Sequence, residues 1–167
     1  MHAAQPAVAA FAAGCIESYF THTRMYQYWF NYAKAEYGSA MQPPTNLTHF
    51  IAANEEWVRK QASSKHDGAP TKPTSSLDDG NDEARFWAGA DLVMAQFDGL
   101  VAGFAAYATE EEQALLTPAK LYMLNSVGDL ETLNGLYKDR DGSDAASDAG
   151  GADAGGAAAA RALGRQV

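Results

Sequence analysis

The chain has 167 residues, 47% of them hydrophobic, and its 21 acidic side chains outnumber 12 basic ones to give a formal net charge of -9. This length suits one domain, and the acidic balance argues against nucleic acid as a partner, because nucleic-acid binding depends on a basic surface that attracts phosphate. The single cysteine, Cys15, excludes internal disulfide bonds and every cysteine-rich zinc or iron-sulfur site.

The N-terminal twenty residues are rich in small apolar side chains but lack the features of a secretory signal peptide. No Lys or Arg precedes Arg24, and the apolar stretch continues into an amphipathic pattern instead of ending at a small-residue cleavage site. No run of about 18 apolar residues occurs anywhere, so no transmembrane segment is predicted. We expect either a cytosolic protein or a true start upstream of Met1.

A long amphipathic helix is predicted for residues 11–37. Its large side chains recur every three or four residues, and Gly38 is expected to end it. The stripe consists of Phe11, Cys15, Tyr19, His22, Tyr26, Trp29 and Ala33. Further aromatic side chains lie off this stripe, so we expect other parts of the structure to cover more than one face of the helix.

A second helix is expected after the proline pair at 43–44, where Thr45 or Asn46 can cap it. It is followed by a polar stretch, residues 62–83, in which Leu77 is the only large apolar residue. Because this stretch has too little apolar surface to bury itself, we interpret it as a surface loop insertion.

The third predicted helix begins near Asn81 or Asp82 and has the most regular pattern in the chain. Its apolar stripe consists of Phe86, Ala90, Val93, Phe97, Leu100, Phe104 and Tyr107. The same helix contains Gly89, Gly99 and Gly103, each of which costs about 0.5 to 1 kcal/mol relative to alanine. We therefore expect close backbone packing against a neighbouring helix, or a kink.

The pattern changes after Pro118, where residues 120–125 form a short apolar run that we interpret as a buried strand. Residues 126–129 are expected to turn the chain and residues 130–137 to form a short helix. Three long helices, one strand and one short helix predict an α+β fold. No other segment has a period of two, so the strands that would pair with this one are expected outside the chain.

Residues 139–167 form an Ala/Gly/Asp-rich run whose only large apolar residues are Leu163 and Val167. We expect this run to be a disordered tail. The predicted division is therefore a domain at residues 1–138, which includes the polar loop, followed by the tail.

The common catalytic and cofactor-binding motifs are absent from this sequence. It contains no nucleophile elbow, phosphate-binding glycine loop, dinucleotide fingerprint or His-Glu-x-x-His pair. The histidines, His2, His22, His49 and His66, include no pair at the i, i+4 spacing that would aim both at one metal. We therefore predict no metal and no other cofactor, and we interpret Cys15 as a small buried hydrophobe rather than a nucleophile.

Residues 46–48, Asn-Leu-Thr, match the acceptor pattern for N-glycosylation and stand at a helix start that is expected to be exposed. Asn46 could instead act as a helix cap, a role that requires no secretion. When no other evidence is considered, the cap is the favoured role. Both roles stay open at this point.

Four sequence blocks, taken in order, resemble the phospholipase B-like family, also called lamina ancestor proteins. They are AAGCIE at 12–17, FIAANEEW at 50–57, FW at 86–87 with QFDGL at 96–100, and LYMLNSVGDLETL at 121–133. The last block is the most specific, because it is similar to a strand of the family that ends in Ser-Gly-Asp-Leu-Glu-Asp-Leu. Family members are much longer N-terminal-nucleophile hydrolases, and the resemblance covers most of residues 12–138.

The resemblance implies an αββα sandwich, of which this chain would supply helices of one layer and one strand. It also implies a catalytic cysteine shortly after the last block, exposed by self-cleavage, with its own α-amine as the general base. No cysteine follows Cys15, which lies in the first block inside a helix, so no catalytic residue is assigned here. We expect a hydrolase segment without activity of its own.

By the same resemblance, the complete enzyme would cleave acyl ester bonds of phospholipids or N-acyl amide bonds. The expected partner is the remainder of the same precursor chain, and the expected location is lysosomal or secreted, which favours Asn46 as a glycosylation site. The alternative reading is a small soluble helical interaction protein without catalytic activity, which would use its aromatic stripes against a partner.

Overall fold

The computed structural model describes residues 6–65 and 82–144, and the regular structure in both ranges is helical. Its helices are α1 (Pro6–Tyr37), α2 (Thr45–Lys65), α3 (Asp82–Tyr107), α4 (Glu110–Leu115), α5 (Pro118–Asn125) and α6 (Val127–Asp144), with a 3-10 turn at Gly38–Ala40. These two ranges contain no β-strand, so the predicted α+β class is wrong for them. They form an all-helical domain and supply no strand to an αββα sandwich.

The three long helices lie close to where the sequence pattern predicts them. Helix α1 begins five residues before the predicted start at Phe11, and it ends where Gly38 adopts a left-handed φ of 67°. Helix α2 begins at Thr45, so Thr45 and Asn46 lie in its first turn rather than before it. Helix α3 begins at Asp82, as predicted.

The predicted buried strand is the helix α5. The amide of Leu121 donates to the carbonyl of Thr117 at 2.9 Å, which is the i to i-4 bond of a helix. Thr117 has an extended backbone and Pro118 follows at the first helical position, which proline favours. The apolar residues of this run do not show the helical period of 3.6, because closely spaced residues are all buried, namely Lys120, Leu121 and Met123.

The later part of the chain also differs from the prediction. The break between α5 and α6 is confined to Ser126, and α6 extends beyond the predicted 130–137 at both ends. Of the predicted polar loop and tail, residues 66–81 and 145–167 lie outside the described residues. The division into a domain and a tail therefore stays a prediction.

The close approach of α1 and α3 organises the fold. A β-carbon placed on Gly99 of α3 would overlap the backbone of Phe11 in α1. In the same way, a β-carbon on Gly14 of α1 would overlap the backbone of Gln96 and Leu100 in α3. The two backbones therefore approach more closely than any residue other than glycine allows at these two positions.

The crossing continues one turn further along α3. A β-carbon on Gly103 would lie 2.8 Å from the β-carbon of Ser18 and 2.9 Å from the carbonyl oxygen of Cys15. The buried Ser18 hydroxyl donates to the carbonyl of Leu100 at 2.5 Å. The predicted close packing is confirmed at Gly99 and Gly103, whereas Gly89 has no such neighbour within 4 Å.

The hydrophobic core lies between the C-terminal half of α1 and the other helices. It comprises Trp29, Ala33, Leu47, Ile51, Leu100, Phe104, Ala108, Leu116, Leu121, Met123 and Leu130. A buried polar link ties α6 to α1 beside this core. The Tyr37 hydroxyl donates to Asn134 Oδ1 at 3.0 Å, and Asn134 Nδ2 donates to the Tyr32 hydroxyl at 2.9 Å.

Candidate functional site

An open groove of about 810 Å³ runs along α3, with contributions from α1, α2 and α5. Its α3 wall follows the apolar stripe that the sequence pattern identifies, namely Phe86, Ala90, Val93, Phe97 and Leu100. Val58 of α2 and Tyr122 of α5 add to the lining. This volume lies within the roughly 300 to 1,000 Å³ of cavities that bind small ligands.

The stripe on α3 is buried only at Leu100 and Phe104. Leu100 and Phe104 are 6% and 3% exposed, as expected of core residues. Phe86 and Val93 are 66% and 64% exposed, because within the described residues no element packs over this part of α3. The periodicity thus identifies the correct face of the helix, but half of that face is the wall of a groove.

Aromatic contacts fix the shape of the groove at two points. The ring of Phe97 in its wall meets the ring of Tyr122 edge to face, with centroids 5.4 Å apart. Near its other end, Phe86 meets Trp87 at 5.0 Å, and Trp87 meets Trp57 of α2 at 5.7 Å. These rings hold α2, α3 and α5 in a fixed relation beside the groove.

Several polar side chains of the groove form hydrogen bonds within the chain. Gln96 Nε2 donates to Glu17 Oε2 at 3.2 Å, and Asn125 Nδ2 donates to the Leu121 carbonyl at 3.0 Å. The Ser126 hydroxyl is directed to the Tyr122 carbonyl at 3.4 Å. The groove therefore has a largely apolar wall, which suits an apolar ligand, and its lining also includes two charged side chains, Glu17 and Arg85. The described residues that line it include no cysteine or histidine.

A second polar cluster joins α1 to the start of α4. The Thr109 amide donates to Glu112 Oε2 at 2.8 Å, and the Glu112 amide donates to Thr109 Oγ1 at 3.3 Å, which together form a capping box. His22 Nδ1 lies 3.2 Å from the same Glu112 carboxylate, which is only 9% exposed. Burial alone raises the pKa of Glu112, but the hydrogen bonds and the His22 contact outweigh it and lower the pKa below its usual value.

Replacing Glu112 with alanine is expected to destabilise the protein by about 1 to 2 kcal/mol, because the Thr109 amide loses its acceptor in the capping box and His22 of α1 loses the Glu112 contact. Glu112→Gln is expected to cost less, because a glutamine oxygen can still accept from the Thr109 amide. Urea unfolding followed by circular dichroism measures both changes.

The lowered pKa of Glu112 also sets a pH dependence. Its carboxylate stabilises the folded state above the unfolded pKa, near the ordinary value of 4.5, and this contribution is lost as the pH falls through the lower folded pKa. The stability difference between the parent protein and Glu112→Gln is therefore expected to shrink under acid conditions. A difference that grows as the pH falls below 4.5 would contradict this assignment.

The candidate residues identified from the sequence lie in separate parts of the structure. Cys15 is half-buried beside the α1–α3 crossing, and Asn46 is half-buried in the first turn of α2. His49 is exposed on α2, whereas His2 and His66 lie outside the described residues. Across residues 6–65 and 82–144, no group of three or more His, Cys, Asp or Glu side chains is placed to hold a metal ion. No helix in those ranges is long and apolar enough to cross a membrane.

Comparisons with known proteins point to one family. The family model of phospholipase B matches residues 1–159. Phospholipase B-like protein G of Dictyostelium discoideum is 32% identical over 129 residues, which cover 77% of this chain and 18% of that protein.

Two animal proteins with phospholipase B names also match this chain, at lower identity. Phospholipase B of Crotalus adamanteus is 28% identical over 120 residues, and phospholipase B-like 1 of Rattus norvegicus is 28% identical over 123. Each alignment covers 72% of this chain and 19% of the relative. The chain thus spans about a fifth of the length of the curated relatives it matches. No solved structure matches it significantly.

Proposed function

This chain belongs to the phospholipase B family, and we propose that it is the helical, non-catalytic segment of a hydrolase that cleaves acyl ester bonds of phospholipids or amide bonds. The observation that carries this proposal is the apolar groove along α3. In a family of lipid hydrolases, such a groove contributes a surface for the acyl chain of the substrate.

An acyl chain fits the physical character of this groove. Its methylene groups form no hydrogen bonds, and the polar groups Gln96, Asn125 and Ser126 already have partners within the chain. A bound acyl chain would cover the exposed side chains of Phe86 and Val93. Each methylene group buried against them contributes about 0.8 kcal/mol.

A charge in the groove wall is expected to weaken binding of an acyl chain. The Val93→Asp variant of the full 167-residue chain is expected to bind a fluorescent fatty-acid analogue at least tenfold more weakly than the parent chain, because bound lipid would strip water from the carboxylate. Equilibrium fluorescence titration measures the two dissociation constants. Val93 is 64% exposed, so the substitution leaves the core intact.

Ala102→Asp is the matched control, because Ala102 is exposed on α3 and lies outside the groove lining. It adds the same charge to the same helix, and its affinity for the analogue is expected to equal that of the parent chain. Equal affinities for all three proteins, or no binding by any, would contradict the assignment of the groove. Absence of binding would favour the alternative of a helical interaction protein without a lipid substrate.

Catalysis is proposed to depend on polypeptide outside this segment. No cysteine follows Cys15 in the sequence, and Cys15 itself is half-buried between packed helices. We place the N-terminal nucleophile in the remainder of the precursor, which is also the proposed partner of this segment. The relatives have about four-fifths of their length outside the matched region, which leaves room for such a part.

The proposed location is lysosomal or secreted, in keeping with the family resemblance, and Asn46 is the proposed glycosylation site. The triplet stands at the start of α2, where the Thr48 hydroxyl donates to the Pro44 carbonyl at 3.2 Å. A glycosidase-sensitive mass shift in protein from a secreting host, absent from Asn46→Gln, would support both proposals. A shift that persists in Asn46→Gln would contradict the assignment of the site.

A further inference from the structure

The N-terminal half of α1 has an outward face that is apolar and, within residues 6–65 and 82–144, largely exposed. Four residues at a spacing of four define this apolar α1 face, namely Val8, Ala12, Ile16 and Phe20. Val8, Ile16 and Phe20 are 58%, 59% and 73% exposed. Exposed apolar side chains that lie side by side on one helix face mark an interaction surface more often than isolated ones do.

This face points away from the rest of the fold. Gly14 and Ser18 contact α3, and Ile16 lies two residues from each, so it is rotated by about 200° from both in a helix of 3.6 residues per turn. No charged side chain occurs between Pro6 and Ile16. The row at a spacing of four continues to the exposed Arg24, and the same helical face is polar further along, where Gln27 and Asn31 are exposed.

The part of the chain outside the described ranges offers little to cover this face. Its only large apolar residues are Met1, Leu77, Leu163 and Val167. The curated relatives, in contrast, have about four-fifths of their length outside the region that this chain matches. That unmatched part of the polypeptide is long enough to supply an apolar surface that covers this face.

We propose that the apolar α1 face is the docking surface for the part of the phospholipase B polypeptide that lies outside the matched segment. This inference rests on the proposed function, in which the segment works only together with that part. Because the four side chains that define this face are uncharged, the partner surface is expected to be apolar and to bind through buried area. The net charge of -9 disfavours a second copy of this chain as the partner.

Co-expression tests the docking surface. The tagged 167-residue chain is produced together with the Dictyostelium discoideum relative from which the matched segment has been deleted. The parent chain is expected to recover this partner on the tag. The double variant Ile16→Lys with Phe20→Lys is expected to recover at least tenfold less, because two charges would have to be buried at the interface.

The control is Gln27→Lys with Asn31→Lys, which adds the same charge to the polar part of the same helix face and is expected to recover as much partner as the parent chain. Both double variants alter exposed residues, so the melting temperature of the chain alone is expected to change little in either. Equal recovery with both double variants, or no recovery with the parent chain, would overturn the proposal.

Two further outcomes would assign the face to another partner and overturn the proposal. One is a dimer of the parent chain in light scattering that the Ile16→Lys/Phe20→Lys variant does not form. The other is flotation of the parent chain with phosphatidylcholine vesicles that this variant loses. The proposed function fails separately if the recovered complex forms but releases no fatty acid from phospholipid or from an N-acyl amide.

Discussion

Replacing Gly99 with alanine is expected to lower the free energy of unfolding by about 3 kcal/mol. The added methyl group would overlap the backbone carbonyl of Phe11, and a backbone group inside a helix has no alternative rotamer with which to avoid it. The two helices would have to separate, which also weakens the hydrogen bond from Ser18 to Leu100. Urea unfolding followed by circular dichroism measures the change.

Gly89→Ala is the matched control in the same helix. A β-carbon on Gly89 meets no such atom within 4 Å, so the substitution is expected to stabilise the protein by about 0.5 to 1 kcal/mol through helix propensity alone. The close crossing therefore predicts that Gly99→Ala lowers the free energy of unfolding and that Gly89→Ala raises it. If Gly99→Ala were also neutral or stabilising, α1 and α3 would not pack through this glycine.

Replacing Asn134 with alanine is expected to cost about 2 to 3 kcal/mol. Asn134 is 1% exposed, and its side-chain amide joins α6 to two tyrosines of α1. The substitution removes a hydrogen-bond acceptor from Tyr37 and a donor from Tyr32 in a site that is largely shielded from water. It also leaves a small cavity beside the core.

Asn54→Ala is the control for the loss of an asparagine. Asn54 is exposed, and its amide oxygen accepts from Tyr122 at 3.3 Å, so water can replace the lost partner. We expect a change within about 0.5 kcal/mol for this substitution in the same unfolding experiment. Similar costs for Asn134→Ala and Asn54→Ala would show that the link between α6 and α1 contributes little.

The long helices were predictable because their signals are local and repeated. Side chains at a spacing of three or four identify α1 and α3, and Gly38 marks the end of α1 at a position that requires a left-handed backbone. Gly99 and Gly103 in a helix interior also indicated the close crossing, because glycine is unfavourable there without a packing reason. The partner helix itself was not predictable from these residues.

Helices α4 and α5 were not predicted, because a run of six or eight residues shows too little periodicity. Helix α5 is buried on several sides, and its apolar run looks like that of a buried strand. Two start signals were available in the sequence. Thr117 followed by Pro118 favours a helix start, and Thr109 with Glu112 forms the capping box of α4.

The groove could be predicted only in part. The spacing of Phe86, Val93 and Phe97 identified the apolar face of α3, but periodicity gives the same pattern for a buried face and for one that awaits a ligand or a partner. The exposure of Phe86 and Val93 depends on which elements pack over them, and that is a property of the tertiary structure. The contact between His22 and Glu112 could likewise not be predicted from the sequence, because 90 positions separate the two residues.

If this chain is the non-catalytic helical segment of a lipid hydrolase, the purified 167-residue chain has no hydrolase activity of its own, and fatty-acid release measures this most directly. The chain is incubated with phospholipid and with an N-acyl amide, and the released fatty acid is measured by mass spectrometry. We predict no release above the buffer blank, either from the parent chain or from Cys15→Ser. Release by the parent chain that is lost in Cys15→Ser would contradict the account, because the segment would then contain its own nucleophile.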